Sequence, residues 1–364
     1  MPRPNSFRTC LLAWYNAHAR KLPWRAPPQA KTTRDPYRVW LSEIMLQQTR
    51  VAAVIEHYRD FLRRFPTVKK LASAREAGVL AAWSGLGYYR RARLLHAAAK
   101  IIVHDLDGQF PATAEEWQAL PGIGHYTAAA IASIAFGEVI AVVDGNVERV
   151  LQRVTGKQLS GEALWRTAED LLDRTRPGDF NQAMMELGAT VCTPRAPACL
   201  MCPVMKLCAT RGAMPQSVKA PRQNKREIHY ALCQTGNGQG SCRDRRPRLS
   251  SGAELSVRSQ GDAAVFLVRR PRNARLMPGM WELPEITPSA DHDQPAFTLK
   301  HSITVTDYTV QVWRTPAAAP PFLRSLRQGG NTGQWIHSSR LASIPLTGLA
   351  RKILRQADLI APDP

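Results

Sequence analysis

The apolar residues of this chain recur at two different periods, and the change falls near residue 227. Ahead of that point the spacing is helical. Asp35 and Pro36 read as an N-cap followed by proline at the first helical position, and YRVWLSEIMLQQ behind them is apolar around most of its circumference. A largely buried helix is expected there. Val51, Val54, Tyr58, Phe61 and Phe65 trace one face of an amphipathic helix that Pro66 closes, and further helices are expected over 73–83 and 92–105. Thr113 and Glu116 form a capping box for a short helix, which Pro121, Gly122 and Gly124 halt before a second, apolar helix begins. Asp144 then stands at the start of a helical pattern over 146–154.

Beyond residue 227 the period becomes two. IHYALC, AAVFLVRR and TVQVWR read as strands, and 341–359 contains one or two helices. Residues 213–226 are basic and proline-bearing without apolar periodicity, so they read as a linker, and 235–261, rich in Gly, Ser and Arg, reads as a mobile insertion. The expected architecture is a mainly α domain over 1–212 and an α+β domain over 227–364. No period of 20 to 50 residues marks a repeat protein.

Composition narrows the possible partners. At 364 residues and 44% hydrophobic content the chain is long enough for two cores. A net charge of +20 calls for a polyanionic partner, with an anionic membrane surface as the competitor to nucleic acid. No run of about 18 apolar residues exists to span a bilayer. Tyr15, Asn16 and His18 break the apolar patch of the N-terminus, so it is not a signal peptide, and a cytoplasmic protein is expected. Seven cysteines are an odd number, and four crowd into 192–208, which argues for a metal site in a reducing compartment and against a disulfide framework.

Several residues carry candidate chemistry. A glycine hairpin lets another backbone come close, while the free amides opening the following helix favour a phosphate. Glu43 falls inside the apolar helix, where burial would raise its pKa and let it hold a proton at neutral pH. In GLGYYRR aromatic and basic side chains, Tyr88 among them, alternate with flexible backbone just ahead of a helix. Each has a plainer alternative: a helix-helix turn, a solvent-facing glutamate, a simple N-cap at Asp144, a tyrosine packing a helix end. Cys192, Cys199, Cys202 and Cys208 contain one C-x-x-C pair, whereas zinc more usually shows two.

The string LPGIGHYTAAAIASIAFGEVIAVVDGNV, 120–147, resembles the helix-hairpin-helix DNA glycosylase superfamily, in which a Gly/Pro-rich hairpin is followed by an essential Asp. LPWR, DPYRVWLSEIMLQQT and DGNVERV are similar to the adenine DNA glycosylase family, MutY, and the likeness is dense from Leu22 to Cys208. The cysteine spacing resembles the 4Fe-4S loop of endonuclease III and MutY, and LMPGMWELPE, 276–285, looks like a MutT-like (Nudix-like) domain lacking the Glu-rich magnesium helix. The resemblance implies a six-helix barrel with a 4Fe-4S module, and a monovalent cation at the helix-hairpin-helix. It implies that Glu43 protonates adenine at N7, that Asp144 stabilises the sugar cation or bonds to it briefly, and that Asn146 orients and Tyr126 sits close to the sugar. Trp24, Arg25, Leu46 and Glu186 would hold the flipped adenine. Gln48, Tyr88, Gly122 and Gly124 would contact DNA. His301 and Ser302, in Lys300-His301-Ser302, stand where the family reads 8-oxoguanine from a turn in a strand loop, and they depart from its Phe-Ser-His order. The implied partner is double-stranded DNA with adenine opposite 8-oxoguanine or guanine, bound by a monomer. An enzyme of the same fold for another base and a non-catalytic redox-sensing iron-sulfur protein are the alternatives.

Overall fold

The computed structural model describes residues 3–28, 34–211, 224–235, 263–271, 273–274, 277–287, 294–303, 306–315 and 332–361. The chain divides into two compact units, Met1–Ala74 with Arg91–Lys219, and Arg75–Arg90 with Ala220–Pro364. The boundary expected at 212 misses that Arg75–Arg90 groups with the C-terminal part. The 235–261 insertion lies outside the described residues apart from Thr235. Residues 213–223 of the expected linker also lie outside, and its last three belong to a strand that begins at Asn224.

The first unit is helical. Its elements include α1 (Pro4–His18), α2 (Pro36–Leu46), α3 (Val51–Arg64) and α4 (Val68–Ala72). After α5 (Glu76–Ala82), which belongs to the second unit, come α6 (Arg90–His104), α7 (Ala114–Gln118) and α8 (His125–Ile131). A π-helical turn, Ala132–Phe136, extends α8, and α9 (Gly145–Thr155), α10 (Gly161–Leu171) and α11 (Pro177–Thr190) complete the set. The caps fall where the sequence puts them. Asp35 accepts from Tyr37 N at 2.9 Å, Thr113 and Glu116 make the reciprocal capping box, and Asp144 caps α9. The helix expected over 73–83 is α5, which starts three residues later, and Thr67, by accepting from Lys70 N, caps a separate short helix, α4, ahead of it.

Apolar faces of α1, α9, α10 and α11 share one core, with Phe7, Leu11, Val150, Leu151, Leu171 and Leu187 fully buried. Two glycines of α11 make its packing close. A Cβ on Gly178 would stand 2.5 Å from Ser133 O, and one on Gly188 would stand 2.6 Å from Asn146 Cβ. The start of α9, and with it Asp144, is therefore positioned against a helix surface with no side chain at the contact.

The second unit contains α5 and a mixed sheet of β1 (Asn224–Thr235), β2 (Ala264–Arg269), β3 (Trp281–Glu282), β4 (Phe297–Ile303), β5 (Thr306–Thr315) and β6 (Thr332–His337). The order is β3-β2-β1-β5-β4, with β6 on β2; β1 and β5 run parallel from Asn224↔Thr306 to Cys233↔Thr315. Alternation along β1 sends Tyr230 and Leu232 into the larger core and Ala231 and Cys233 into a smaller one. Two helices follow, α12 (Ser338–Leu341) and α13 (Gly348–Gln356), and α13 buries Leu349, Ile353 and Leu354 in the larger core.

Gly188→Ala should cost about 1–3 kcal/mol of stability, because the added methyl has only backbone and Asn146 to displace. Denaturant melts of the two proteins measure this; equal midpoints would show that α9 and α11 are not in fixed contact.

Candidate active site

Helix α2 buries Tyr37, Trp40, Leu41, Ile44 and Met45 around Glu43, so the glutamate side chain is carried inward and is only 7% exposed. Tyr126, in the first turn of α8, donates its hydroxyl to Glu43 Oε2 at 2.9 Å and lies 3.5 Å from Met185 Sδ. Burial pushes the Glu43 carboxyl up to about 7; the Tyr126 hydrogen bond and the Arg25 charge oppose the rise, and Asp144 adds to it. Burial, then the nearby Glu43 and Asp144, holds the Tyr126 phenol well above its ordinary value, so it remains a donor.

Asp144 is fixed by the helix it caps. Its Oδ1 accepts from Asn146 N at 2.9 Å and Val147 N at 2.7 Å, and its Oδ2 accepts from Asn146 Nδ2 at 2.9 Å. Arg149 Nη2 donates in turn to Asn146 Oδ1 at 2.7 Å and to Gly188 O at 2.7 Å, which fixes the asparagine amide with its nitrogen toward Asp144. One carboxyl is thus enclosed by apolar side chains and a phenol, and the other by N–H donors.

Both open into one cavity of about 320 Å³, the size range of small-molecule sites. Trp24, Arg25, Glu43, Leu46, Gln48, Tyr126, Asp144 and Asn146 all line it, so the structure brings together most of the residues singled out in the first unit. Trp24 sets its ring edge-on to Tyr58, with centroids 5.2 Å apart.

Of the four residues expected to hold the base, Glu186 is the exception. It does not line the cavity, its side chain is 1% exposed, and its carboxylate accepts from Arg20 Nε at 2.5 Å and Nη2 at 2.8 Å and from Arg25 Nη1 at 2.8 Å. Burial alone would raise its pKa, but the Arg20 hydrogen bond and the charges of Arg25 and Arg20 outweigh that and hold it below the usual value. A carboxylate so occupied orients two cavity-lining arginines and does not itself face a ligand. Gln182, one turn earlier on α11, lines the cavity instead, and its Oε1 accepts from Tyr15 Oη at 3.2 Å. The i, i+4 relation to Glu186 was the signal that could have found it.

Gln48 sits in a turn that Arg91 holds. The Arg91 Nη1 donates to Ile44 O, Met45 O and Gln47 O at 2.9, 3.0 and 2.5 Å, and Nη2 donates to Thr49 Oγ1 at 3.1 Å. These bonds satisfy the carbonyls at the end of α2 and keep Gln48 at a φ of 54°, in the left-handed region. Arg91 escaped sequence reasoning because its partners lie more than 40 positions away. In the hairpin, Gly122 needs to be glycine: its φ is 80°, and a Cβ would stand 2.6 Å from Leu94 Cβ. Gly124 differs from Gly122. It caps α8 at −92°, and a Cβ there would meet nothing within 4 Å, leaving an open approach to the first amides of α8.

In the second unit Tyr88 is 47% exposed at a φ of 47°. His301 and Ser302 are not in a turn but inside β4, opposite Tyr308 and Asp307, and Ser302 Oγ donates to Asp307 Oδ1 at 2.5 Å. Residues 304–305, between β4 and β5, lie outside the described residues. Burial and Lys352 both lower the His301 pKa.

Cys192, Cys199, Cys202 and Cys208 line one pocket with Val150, Arg153 and Leu187. Arg153 is buried, and its Nη1 lies 3.2 Å from Cys192 Sγ while donating to Thr193 O at 2.8 Å. Four soft donors around a common space, with an arginine against one of them, suit a metal group that carries thiolate charge. Among the described residues no three His, Cys, Asp or Glu side chains converge as one metal ion would require. Among them, too, no helix is long and apolar enough to cross a membrane.

Comparison with known proteins agrees with the helical fold. Residues 41–174 match the HhH-GPD superfamily of base excision DNA repair proteins. The adenine DNA glycosylase of Rattus norvegicus is 41% identical over 349 residues, which is 87% of this chain; the chain spans 66%, just under two thirds, of that relative's length. The adenine DNA glycosylase of Mycobacterium tuberculosis (strain CDC 1551 / Oshkosh) is 43% identical over 224 residues, covering 60% of this chain and 72% of the relative. A thermostable thymine-DNA glycosylase shares the helical fold, with a TM-score of 0.52 and 31% identity over 57% of this chain and 96% of its own. The chain belongs to the adenine DNA glycosylase family, within the HhH-GPD superfamily.

Proposed function

We propose that this protein hydrolyses the N-glycosidic bond of adenine mispaired with 8-oxoguanine or guanine in duplex DNA. The observation that carries the reading is the pair of carboxyl groups in unlike surroundings lining a single cavity. Purine release needs a proton delivered to the base and negative charge opposite the sugar. With a pKa near 7, Glu43 retains its proton in a large fraction of molecules at neutral pH and gives it to N7 of a base swung out of the duplex. The C1′–N9 bond breaks with its electron pair moving into the protonated base, which departs as neutral adenine and leaves the positive charge on the sugar. Asp144, oriented by Asn146, faces the resulting oxocarbenium, as a counter-charge or a transient covalent partner. Water then adds at C1′ and Glu43 takes its proton, which restores the starting state.

Trp24, Arg25 and Leu46 are the walls that would hold the base, with Gln182 added and Glu186 acting through Arg20 and Arg25. Gly122 and Gly124 present α8 to a phosphate, where a monovalent cation would also bind, and Gln48 and Tyr88 fill the vacated stack. A monomer suffices for this. The C-terminal unit reads the opposite 8-oxoguanine, with His301 and Ser302 on the edge strand β4 as its candidate contacts. Cys192, Cys199, Cys202 and Cys208 would hold one 4Fe-4S cluster, which supplies a structural clamp and an electron-transfer centre when bound, and no step of the hydrolysis passes through it.

Tyr126 makes the reaction hydrolytic: a lysine there would attack C1′ and cut the strand through a Schiff base, whereas a phenol kept protonated does neither. Assays of free base released from duplexes carrying each mismatch in turn should show adenine opposite 8-oxoguanine and guanine as the substrates, with little borohydride-trapped adduct. Preferential thymine release would favour the activity named for the structural relative.

A second outcome concerns pH. The Glu43 pKa is raised in the folded state, so the proton is bound more tightly there and the protein loses stability as pH rises from about 4.5 through about 7. Glu43→Gln removes that loss. The variant should release no base yet still bind DNA, and should gain up to about 3 kcal/mol relative to the parent at pH 8 but little at pH 5. Equal differences at both pH values, or surviving base release, would contradict the assignment.

A further inference from the structure

The string 276–285 takes no part in the chemistry above, yet its Trp281 fixes a distant carbonyl in the second unit. Trp281 N donates to Pro345 O at 2.8 Å, Thr347 N donates to Trp281 O at 2.9 Å, and Trp281 and Leu346 form a parallel bridge. The Leu346 side chain is fully buried in the larger core, so its carbonyl has a fixed place. That oxygen accepts two hydroxyls from one short stretch of chain, Tyr89 Oη at 2.9 Å and Ser84 Oγ at 3.2 Å. From α13, Arg351 Nε donates to the same Ser84 Oγ at 2.9 Å. Ser84 and Tyr89 are each 3% exposed.

Between these two anchors runs the loop with the exposed Tyr88. Gly85, Gly87 and Tyr88 have φ of 109°, 68° and 47°, and Trp83 Nε1 donates to Gly87 O at 3.2 Å. Glycine takes such angles freely. An aromatic residue does so only where its surroundings over-determine it. The surroundings are here the buried Ser84 and Tyr89, and what holds them is Leu346 and Arg351.

We propose that the Leu346 carbonyl and Arg351 are positioning groups that set the Gly85–Leu86–Gly87–Tyr88 loop for base extrusion. Extrusion, and not bond cleavage, then depends on the segment that Trp281 and α13 hold in place. The inference deepens the proposed glycosylase reading, because it gives Tyr88 a duplex to enter.

Tyr89→Phe keeps the ring and removes one donor to Leu346 O; Ser84→Ala removes the other. In the full chain, fluorescence of 2-aminopurine at the target position reports unstacking, and single-turnover release from adenine in a mispair and from adenine in an unpaired bulge reports cleavage. The expected result for either variant is about a tenfold loss of extrusion and of release from the mispair, the scale of one buried hydrogen bond, with release from the bulge unchanged within about twofold. Unchanged extrusion, or equal loss on both duplexes, would overturn the proposal. If Tyr89→Phe fails to fold, Arg351→Gln carries the same comparison. Should the parent release no adenine at all while the variants still lose the fluorescence change, the positioning role stands and the glycosylase reading falls.

Discussion

Everything in the first unit serves to keep one carboxyl group out of water beside another that is not. Glu43 has a phenol on one side, apolar helix neighbours on the others and Asp144 across the cavity, and this contrast separates an acid from a counter-charge. The separation costs stability. Each unit of pKa displacement is worth about 1.4 kcal/mol, so the fold carries a penalty of about 3 kcal/mol at alkaline pH that apolar packing around α2 and α9 must offset.

The supporting parts explain why that arrangement is rigid. Asp144 is a helix cap, which fixes its backbone, and Asn146 and Arg149 fix its second oxygen, while Gly188 brings α11 against the cap without an intervening side chain. Arg91 does the same for α2 by taking the carbonyls at its end. Glu186, buried and doubly paired, places Arg20 and Arg25 on the cavity wall. In each case a charged group is satisfied by geometry before any ligand arrives, so little reorganisation is left for the reacting state.

What the sequence made legible was local. Caps at Asp35, Thr113 and Asp144, the closing Pro66 and the apolar girth of α2 all follow from near-neighbour chemistry and put Asp144 at a helix start, whereas for Glu43 they leave a solvent-facing position open and only the family resemblance turns it inward. Long-range partnerships were not legible. Nothing in the 75–90 stretch announces that Ser84 and Tyr89 bond to Leu346, more than 250 positions on, and for that reason the boundary between the units was drawn without them. For His301 and Ser302 the turn is what the family resemblance implies, and a strand end is the plainer alternative; pairing with Tyr308 and Asp307 puts both inside β4. The hairpin glycines are alike in sequence and differ in structure, because glycine signals freedom without saying whether the freedom is a φ angle, as at Gly122, or open space, as at Gly124.

The central claim is that Glu43 holds a proton near neutrality because it is buried and because Asp144 is near it. Isotope-edited infrared or carbon NMR titration of the Glu43 carboxyl, in the parent and in Asp144→Asn, tests this without any substrate. The account predicts a midpoint of about 7 in the parent and a lower one once the neighbouring charge is removed. A parent midpoint near 4.5, the ordinary glutamate value, would contradict it.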